Sequence, residues 1–260
     1  MLTYPPINPV AFHLGSWPVY WYGLMYLFGL IIAWMLMSWR ARHTQQFSQE
    51  QVSDILFFSA LGIIIGGRAG YMLFYDWRIL LAHPLILFQT WKGGMSFHGG
   101  LIGVILALWW TSRKWNCSLF DLTDFVAPVV PVGLGLGRIG NFINDELWGR
   151  VSEVPWAMIF PNGGSLSRHP SQLYESFLEG LVLFIILWTY SRKARPAGVV
   201  SGAFLLLYGS FRFFIEFFRE PDVQIGFLWG GLTEGQLLCL PMVLLGAFLL
   251  LLAYKRRTAT

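Results

Sequence analysis

Charge is scarce in this 260-residue chain: Lys, Arg, Asp and Glu make up 12% of it, about half the share of an ordinary soluble domain. So few charges cannot give a globule of this size a polar surface, which sets a soluble enzyme aside. Cysteine is nearly missing as well. Cys117 and Cys239 stand alone, without metal or redox spacing, and no disulfide framework is expected. The five histidines form no H-E-x-x-H or comparable set, and no G-x-S-x-G occurs, so neither a metal nor a cofactor is expected. No basic cluster supports binding to nucleic acid, despite a net charge of +4. No Lys or Arg precedes Arg40, so the basic start of a signal peptide is not expected either.

Apolar residues fill the space the charges leave. The chain is 55% hydrophobic and 17% aromatic, with a mean hydropathy of +0.55. Such a chain has ample surface to bury and is not disordered. It reads as an all-α polytopic membrane protein forming one integral membrane domain over residues 1–260. A helix needs about 20 mostly apolar residues to cross a bilayer. Three stretches meet that plainly: Trp17 to Trp39, Gly93 to Ser112 and Gly235 to Tyr254. Four more, at 53–75, 121–140, 171–191 and 198–218, are interrupted by a charge near one end. Seven transmembrane helices are therefore expected, with one longer extracytoplasmic segment at about 141–170.

Basic residues in the loops set the orientation. Arg40 and Arg42, Arg113 and Lys114, Arg192, Lys193 and Arg195, and Lys255, Arg256 and Arg257 follow spans one, three, five and seven. Those alternate ends are read as cytoplasmic, which puts the N-terminus outside and the C-terminus inside. The remaining basic residues are Arg68, Arg78, Lys92, Arg138, Arg150, Arg168, Arg212 and Arg219. Topology does not require them where they fall, in the outer half of the spans or in the outer loops. Glu175, Glu179, Glu216 and His98 fall at the same depth. Ionisable groups within membrane segments are costly and mark function by default. The bland alternative is a set of helix-end residues reaching out to water.

Several short stretches carry the candidate chemistry. Gly135-Leu-Gly137-Arg-Ile-Gly140 matches G-x-G-x-x-G but sits in a span after Pro128 and Pro131. It reads as helix packing rather than a dinucleotide loop, as do Gly62, Gly66, Gly67 and Gly70. The densest polar run extends from Gly137 to Arg150 and holds Arg138, Asn141, Asn144, Asp145, Glu146 and Gly149. An arginine there suits a phosphate, since its planar fork binds bidentately and stays charged. His98, beside Gly99 and Gly100, is placed to take a proton near neutral pH, with open backbone for a substrate to approach. His169 to Glu175 opens span five, and its polar groups read as caps and braces. Arg212, Glu216 and Arg219 share one helix face at i, i+4 and i+7, so Glu216 can orient an arginine that grips an anion. Tyr22 stands at the outer end of span one beside Gly23.

Together these stretches resemble the prolipoprotein diacylglyceryl transferase family over almost the whole chain. The resemblance rests on Trp21 to Tyr26, Gly66 to Tyr71, Gly93 to Gly100, Gly137 to Arg150, His169 to Glu175 and Tyr208 to Asp222, in that order. It implies a seven-span enzyme of the bacterial inner membrane, with its active site facing the periplasmic leaflet. Its substrates would be phosphatidylglycerol and the lipobox signal peptide of a prolipoprotein, and its products a thioether-linked lipid and glycerol phosphate. It carries the essential arginines onto Arg138 and Arg212 and functionally sensitive positions onto Tyr22, Asn141, Glu146 and Gly149. The expected catalytic set is His98, Arg138, Arg212 and Glu216. The expected substrate-binding set is Tyr22, Arg68, Asn141, Asn144, Glu146, Gly149 and Arg219. Gly149 is expected to need space or a positive φ. The chain departs from the family pattern at Asp145, where a small residue is expected.

Two other functions fit a membrane protein with outer charges. A transporter or channel would need charges along a path through both leaflets, and the cytoplasmic halves of the spans are nearly charge-free. A non-catalytic lipid-binding subunit is separated from an enzyme by turnover of the purified chain.

Overall fold

The computed structural model describes residues 2–89, 93–221, 228 and 231–258, with the side chains of residues 97, 257 and 258 excepted. Lys92, Asp222 and the side chain of Arg257, all named above, lie outside the described residues. The chain is mostly helical and divides into two compact units, one of Met1–Leu36 with Asp124–Thr260 and one of Met37–Thr123.

The first unit opens with β1 (Leu2–Thr3) and a hairpin of β2 (Val10–Leu14) and β3 (Trp17–Tyr20). The turn between the hairpin strands uses Gly15 at φ +62°, a left-handed conformation that glycine adopts without a Cβ clash. Trp17 to Tyr20 were expected to begin the first span. They form a strand instead, because that turn folds them back on β2 and Pro18 has no N–H to give a helix. α1 (Trp21–Thr44) starts directly after the hairpin and ends in the second unit.

Every apolar stretch named from the sequence contains helix. Among the described residues, four helical segments are long and apolar enough to cross a membrane: Trp21–Thr44, Gln49–Phe74, Ser171–Tyr190 and Glu234–Arg256. A fifth candidate is the pair α5 (Leu119–Val126) and α6 (Val130–Ile143), bent by 47° at their junction. Pro128 and Pro131 explain the bend, since each lacks the N–H that a continuing helix would use. α9 (Val199–Ile215) is apolar but shorter, and α4 (Phe97–Lys114) carries His98, Arg113 and Lys114 at its ends. The protein is thus a multi-pass membrane protein.

In the second unit, α2 (Gln49–Phe74) starts at a capping box. The Ser48 side chain accepts from the Gln51 N–H, and the Gln51 side chain accepts from the Ser48 N–H, satisfying two otherwise unpaired helix-end donors. α2 then crosses α4 on glycines. A Cβ on Gly66 would strike the Gly99 carbonyl oxygen, and one on Gly103 the Gly62 carbonyl oxygen. Only glycine lets two backbones meet this closely. α3 (Trp77–Ala82) and a 3-10 turn (Pro84–Phe88) follow α2.

In the first unit, α6 packs on the helix 171–190, built of α7 (Ser171–Glu175), a π-helical stretch (Ser176–Val182) and α8 (Leu183–Tyr190). Gly135 and Gly180 form that contact, where a Cβ on Gly180 would come within 2.7 Å of the Gly135 Cα. Leu183, Leu187, Ala203 and Tyr208 form one apolar core between α8 and α9. α10 (Glu234–Thr258) pairs with α9. A second core of Tyr4, Phe142 and Phe160 lies under a loop region that is not purely irregular. There β4 (Met158–Ile159) pairs in parallel with β1 and antiparallel with β5 (Ser167–Arg168). The Tyr4 hydroxyl, 2.8 Å from the Phe142 carbonyl and 2.9 Å from that of Ile143, closes the C-terminal end of α6.

Candidate active site

Four helical segments and the stretch after α9 bring three arginines and three glutamates of the first unit together. α6 carries Arg138, α7 carries Glu175, the π-helical stretch carries Glu179, and the end of α9 carries Arg212 and Glu216. Arg219 follows α9. Glu175 is the hub. Its Oε2 lies 2.7 Å from Arg138 Nε and 2.9 Å from Arg212 Nη1, and its Oε1 is 4.0 Å from Arg219 Nε. Glu216 holds the other ends, 2.5 Å from Arg212 Nη2 and 3.2 Å from Arg219 Nη1. Its second oxygen accepts from the Thr233 hydroxyl at 2.9 Å. The glutamates are sealed, with Glu175 and Glu179 at 0% exposure and Glu216 at 2%. The arginines are less so, and the Arg138 side chain is 23% exposed. The carboxylates therefore sit behind guanidinium groups that face outward, the arrangement an anion site needs.

The expected pairing of Glu216 with Arg212 and Arg219 is present. The expectation missed Glu175 and Glu179 as members of the cluster, having placed them among helix-end acids and braces. Their signal was in the sequence: two acids at i and i+4 within an otherwise apolar helix.

Beside the cluster, Arg138 Nη1 donates to Asn141 Oδ1 at 3.4 Å, and Asn141 Nδ2 donates to Glu146 Oε1 at 2.8 Å. Asn144 Nδ2 donates to the same oxygen at 3.3 Å. Gln172 donates to the Glu146 carbonyl at 2.7 Å and ties this loop to α7. Arg138, Asn141, Asn144 and Glu146 thus form one network. Tyr22 packs on Gly140, where an added Cβ would come within 2.8 Å of its ring, and its hydroxyl is 3.1 Å from that of Tyr26.

Gly149 needs space rather than a positive φ. Its N–H donates to the His169 carbonyl at 2.8 Å, while Arg150 N–H donates to the Phe218 carbonyl at 2.9 Å. A Cβ on Gly149 would strike the Phe218 oxygen and come within 2.8 Å of His169. The strained positions lie just before it, at Asp145 (φ +54°) and Leu147 (φ +57°). Burial raises the Asp145 carboxyl above its ordinary range, opposed by a hydrogen bond from the Asn162 N–H at 2.6 Å. Burial also pushes the His169 imidazole down. Its Nδ1 lies 3.0 Å from the Tyr174 hydroxyl, which accepts from Trp156 at 2.6 Å. His169 is thus a brace between the loop and α7. Arg150 spans the Arg219 and Glu216 carbonyls, and Arg168 stacks over Trp148 and pairs with Glu220 at 3.0 Å.

His98 and Arg68 belong to the second unit. His98 is exposed on the first turn of α4. Its glycines do not leave open backbone for a substrate as expected: Gly99 is pressed against Gly66 and Gly70, and Gly100 approaches Ile63. Arg68 is 3% exposed. Its guanidinium donates to the carbonyls of Ile86, Leu87, Gly93 and Gly94. It staples the segment between α3 and α4, and most of its donors are already used.

The family model described as prolipoprotein diacylglyceryl transferase matches residues 9–252. A protein of Pseudomonas aeruginosa named phosphatidylglycerol–prolipoprotein diacylglyceryl transferase is 58% identical over 261 residues, covering all of this chain and 98% of the relative. One of the same name from Coxiella burnetii is 59% identical over 259 residues, covering 99% of each. With a full-length match of that strength around a buried arginine–glutamate cluster, the chain belongs to the prolipoprotein diacylglyceryl transferase family.

Proposed function

We propose that this protein transfers the diacylglyceryl group of phosphatidylglycerol to the lipobox cysteine of a prolipoprotein, the first step of lipoprotein maturation. The observation that carries this reading is the cluster of Arg138, Arg212 and Arg219 backed by buried Glu175 and Glu216, in a chain of this family. The thiol sulfur attacks the glyceryl carbon next to the phosphate. A carbon–sulfur bond forms, the carbon–oxygen bond breaks, and glycerol phosphate leaves with a second negative charge. Arg138 and Arg212 are held from behind, so their forks are preset to bind that charge as it develops. Asn141, Asn144, Glu146 and Tyr22 fix the position of Arg138 and the wall beside it. Arg219 and Glu216 complete the anion site. His98 takes the thiol proton, which then passes to solvent. Gly149 keeps the loop closed against Phe218. Arg68 braces its own loop and so shapes the substrate side from behind.

The full reading is one catalytic membrane domain of residues 1–260 with seven transmembrane helices, set in the bacterial inner membrane. The N-terminus is outside, the C-terminus is cytoplasmic, and the site faces the periplasmic leaflet. The alternation of basic helix ends supports it. Replacing Arg138 by Lys tests the chemistry, because lysine keeps a charge but loses the fork. Transfer of labelled diacylglyceryl to a lipobox peptide is expected to fall by about 10²-fold or more. Wild-type turnover in that variant would overturn the assignment of Arg138.

A further inference from the structure

Glu179 is the one member of the cluster without a hydrogen-bonding role among the described residues. Both carboxyl oxygens are buried and neither has a hydrogen-bond partner there. The closest cation, Arg212 Nη1, is 3.8 Å away. That nitrogen already serves Glu175 at 2.9 Å, while Nη2 serves Glu216 at 2.5 Å. Glu175 lies one turn before Glu179 on the same helix, where a second negative charge repels the first. Arg138 from α6, Glu175 from α7, Tyr208 and Arg212 from α9, Arg219 beyond it and Cys239 from α10 are close enough to act electrostatically on Glu179, and Glu216 is joined to it through Arg212. A carboxylate sealed from water without hydrogen bonds is costly, and such groups neutralise instead.

We infer that Glu179 is held as a neutral carboxylic acid that sets the charge of the anion site, making it selective for a headgroup with one net negative charge. With Glu179 ionised, three guanidiniums face three carboxylates and the cluster is neutral. With Glu179 protonated, the cluster carries one positive charge, the complement of a phosphodiester such as that of phosphatidylglycerol. This inference rests on the transferase reading for the identity of the lipid, but the state of Glu179 does not. The residue acts through the charge of the cluster rather than on the reacting atoms.

The test uses the full-length protein in phosphatidylcholine nanodiscs. Infrared spectroscopy at neutral pH is expected to detect a protonated-carboxyl band that shifts in deuterium oxide and is lost in Glu179→Gln. Glu179→Asp keeps an acid and moves the band, which assigns it even if Gln is poorly tolerated. When alkali titrates the band away, binding of added phosphatidylglycerol is expected to weaken by about tenfold or more. Wild-type and Gln spectra that superimpose overturn the inference. Phosphatidylglycerol binding that stays constant as the band disappears overturns the charge-setting role. Turnover is measured on the same samples. A band at Glu179 in a protein that transfers no lipid would sink the transferase reading and leave the protonation state standing.

Discussion

Replacing Glu175 by Gln removes one charge from the hub of the cluster and changes almost nothing in shape. Glu175 is fully buried, with Arg138 Nε at 2.7 Å and Arg212 Nη1 at 2.9 Å on the same oxygen. The amide keeps one acceptor oxygen, so one of those contacts survives. Its NH₂ group cannot accept, and it faces the Arg219 side, where the carboxylate stood 4.0 Å from Nε. Breaking a buried ion pair from one side costs about 3–5 kcal/mol, because the remaining charge stays buried. The surviving contact puts this variant at the low end, about 3 kcal/mol, roughly a hundredfold in the folding equilibrium. Arg138 and Arg212 also lose their common anchor, so turnover is expected to fall by about 10²–10³-fold, the usual effect of misplacing a donor to a developing charge. Thermal unfolding in nanodiscs reads the first effect. Transfer of labelled lipid to a lipobox peptide, per folded molecule, reads the second. Glu175→Leu, which keeps no oxygen, is expected to be worse on both. Wild-type turnover with an unshifted Tm in Glu175→Gln would refute the idea that Glu175 organises the arginines.

Three further outcomes follow from the geometry. Gly149→Ala forces a Cβ against the Phe218 carbonyl oxygen and His169; overpacking of this kind costs about 1–3 kcal/mol, and a Tm equal to wild type would show that the loop has room. Asp145→Asn keeps an acceptor for the Asn162 N–H and suits φ +54°. Because burial raises the folded Asp145 carboxyl, its contribution is fully present below the ordinary Asp value of about 3.9 and is lost as pH rises through the folded value. The Asn variant is thus expected to have a higher Tm at neutral pH and a flatter Tm–pH profile from acid to neutral, and a lower Tm at pH 7 with an unchanged slope would contradict this. His98→Gln is expected to cut turnover by about 10²-fold; full rate in that variant would remove His98 as proton acceptor.

The helices within the apolar stretches were the most legible part of the fold, since apolar runs broken by basic ends depend only on local composition. Helix starts were less so. Trp17 to Tyr20 are as free of charge as the start of the helix that follows, and only the Gly15 turn and Pro18 separate them from it. The strands at 158–159 and 167–168 carry no alternating pattern of their own. The first pairs with β1, far away in sequence, and the second pairs with the first in turn. In the site, Arg212, Glu216 and Arg219 were readable because helix spacing puts them on one face. Arg138 and Glu175 lie on different helices and meet only through the contact of Gly135 with Gly180. A glycine in the sequence does not say which glycine it will touch. Arg68 illustrates the converse: a buried arginine at the expected depth is occupied by four backbone carbonyls, and no spacing rule distinguishes a staple from a ligand.

The π-helical stretch at 176–182 works as a phase shift built into one helix. Each residue of an α-helix turns the chain by about 100°, and a π-bulge amounts to one residue more than the regular helix would hold. Upstream, Glu175 is presented to the arginines; downstream, Leu183 and Leu187 are presented to the apolar core with Ala203 and Tyr208. The two faces would not both point correctly on an uninterrupted helix. Deleting a single residue such as Leu181 would leave the hydropathy of the segment almost unchanged, yet would swing either the carboxylate or the leucines out of alignment. In this part of the chain, length therefore carries information that composition does not, and an insertion or deletion is expected to be far more damaging than any conservative substitution.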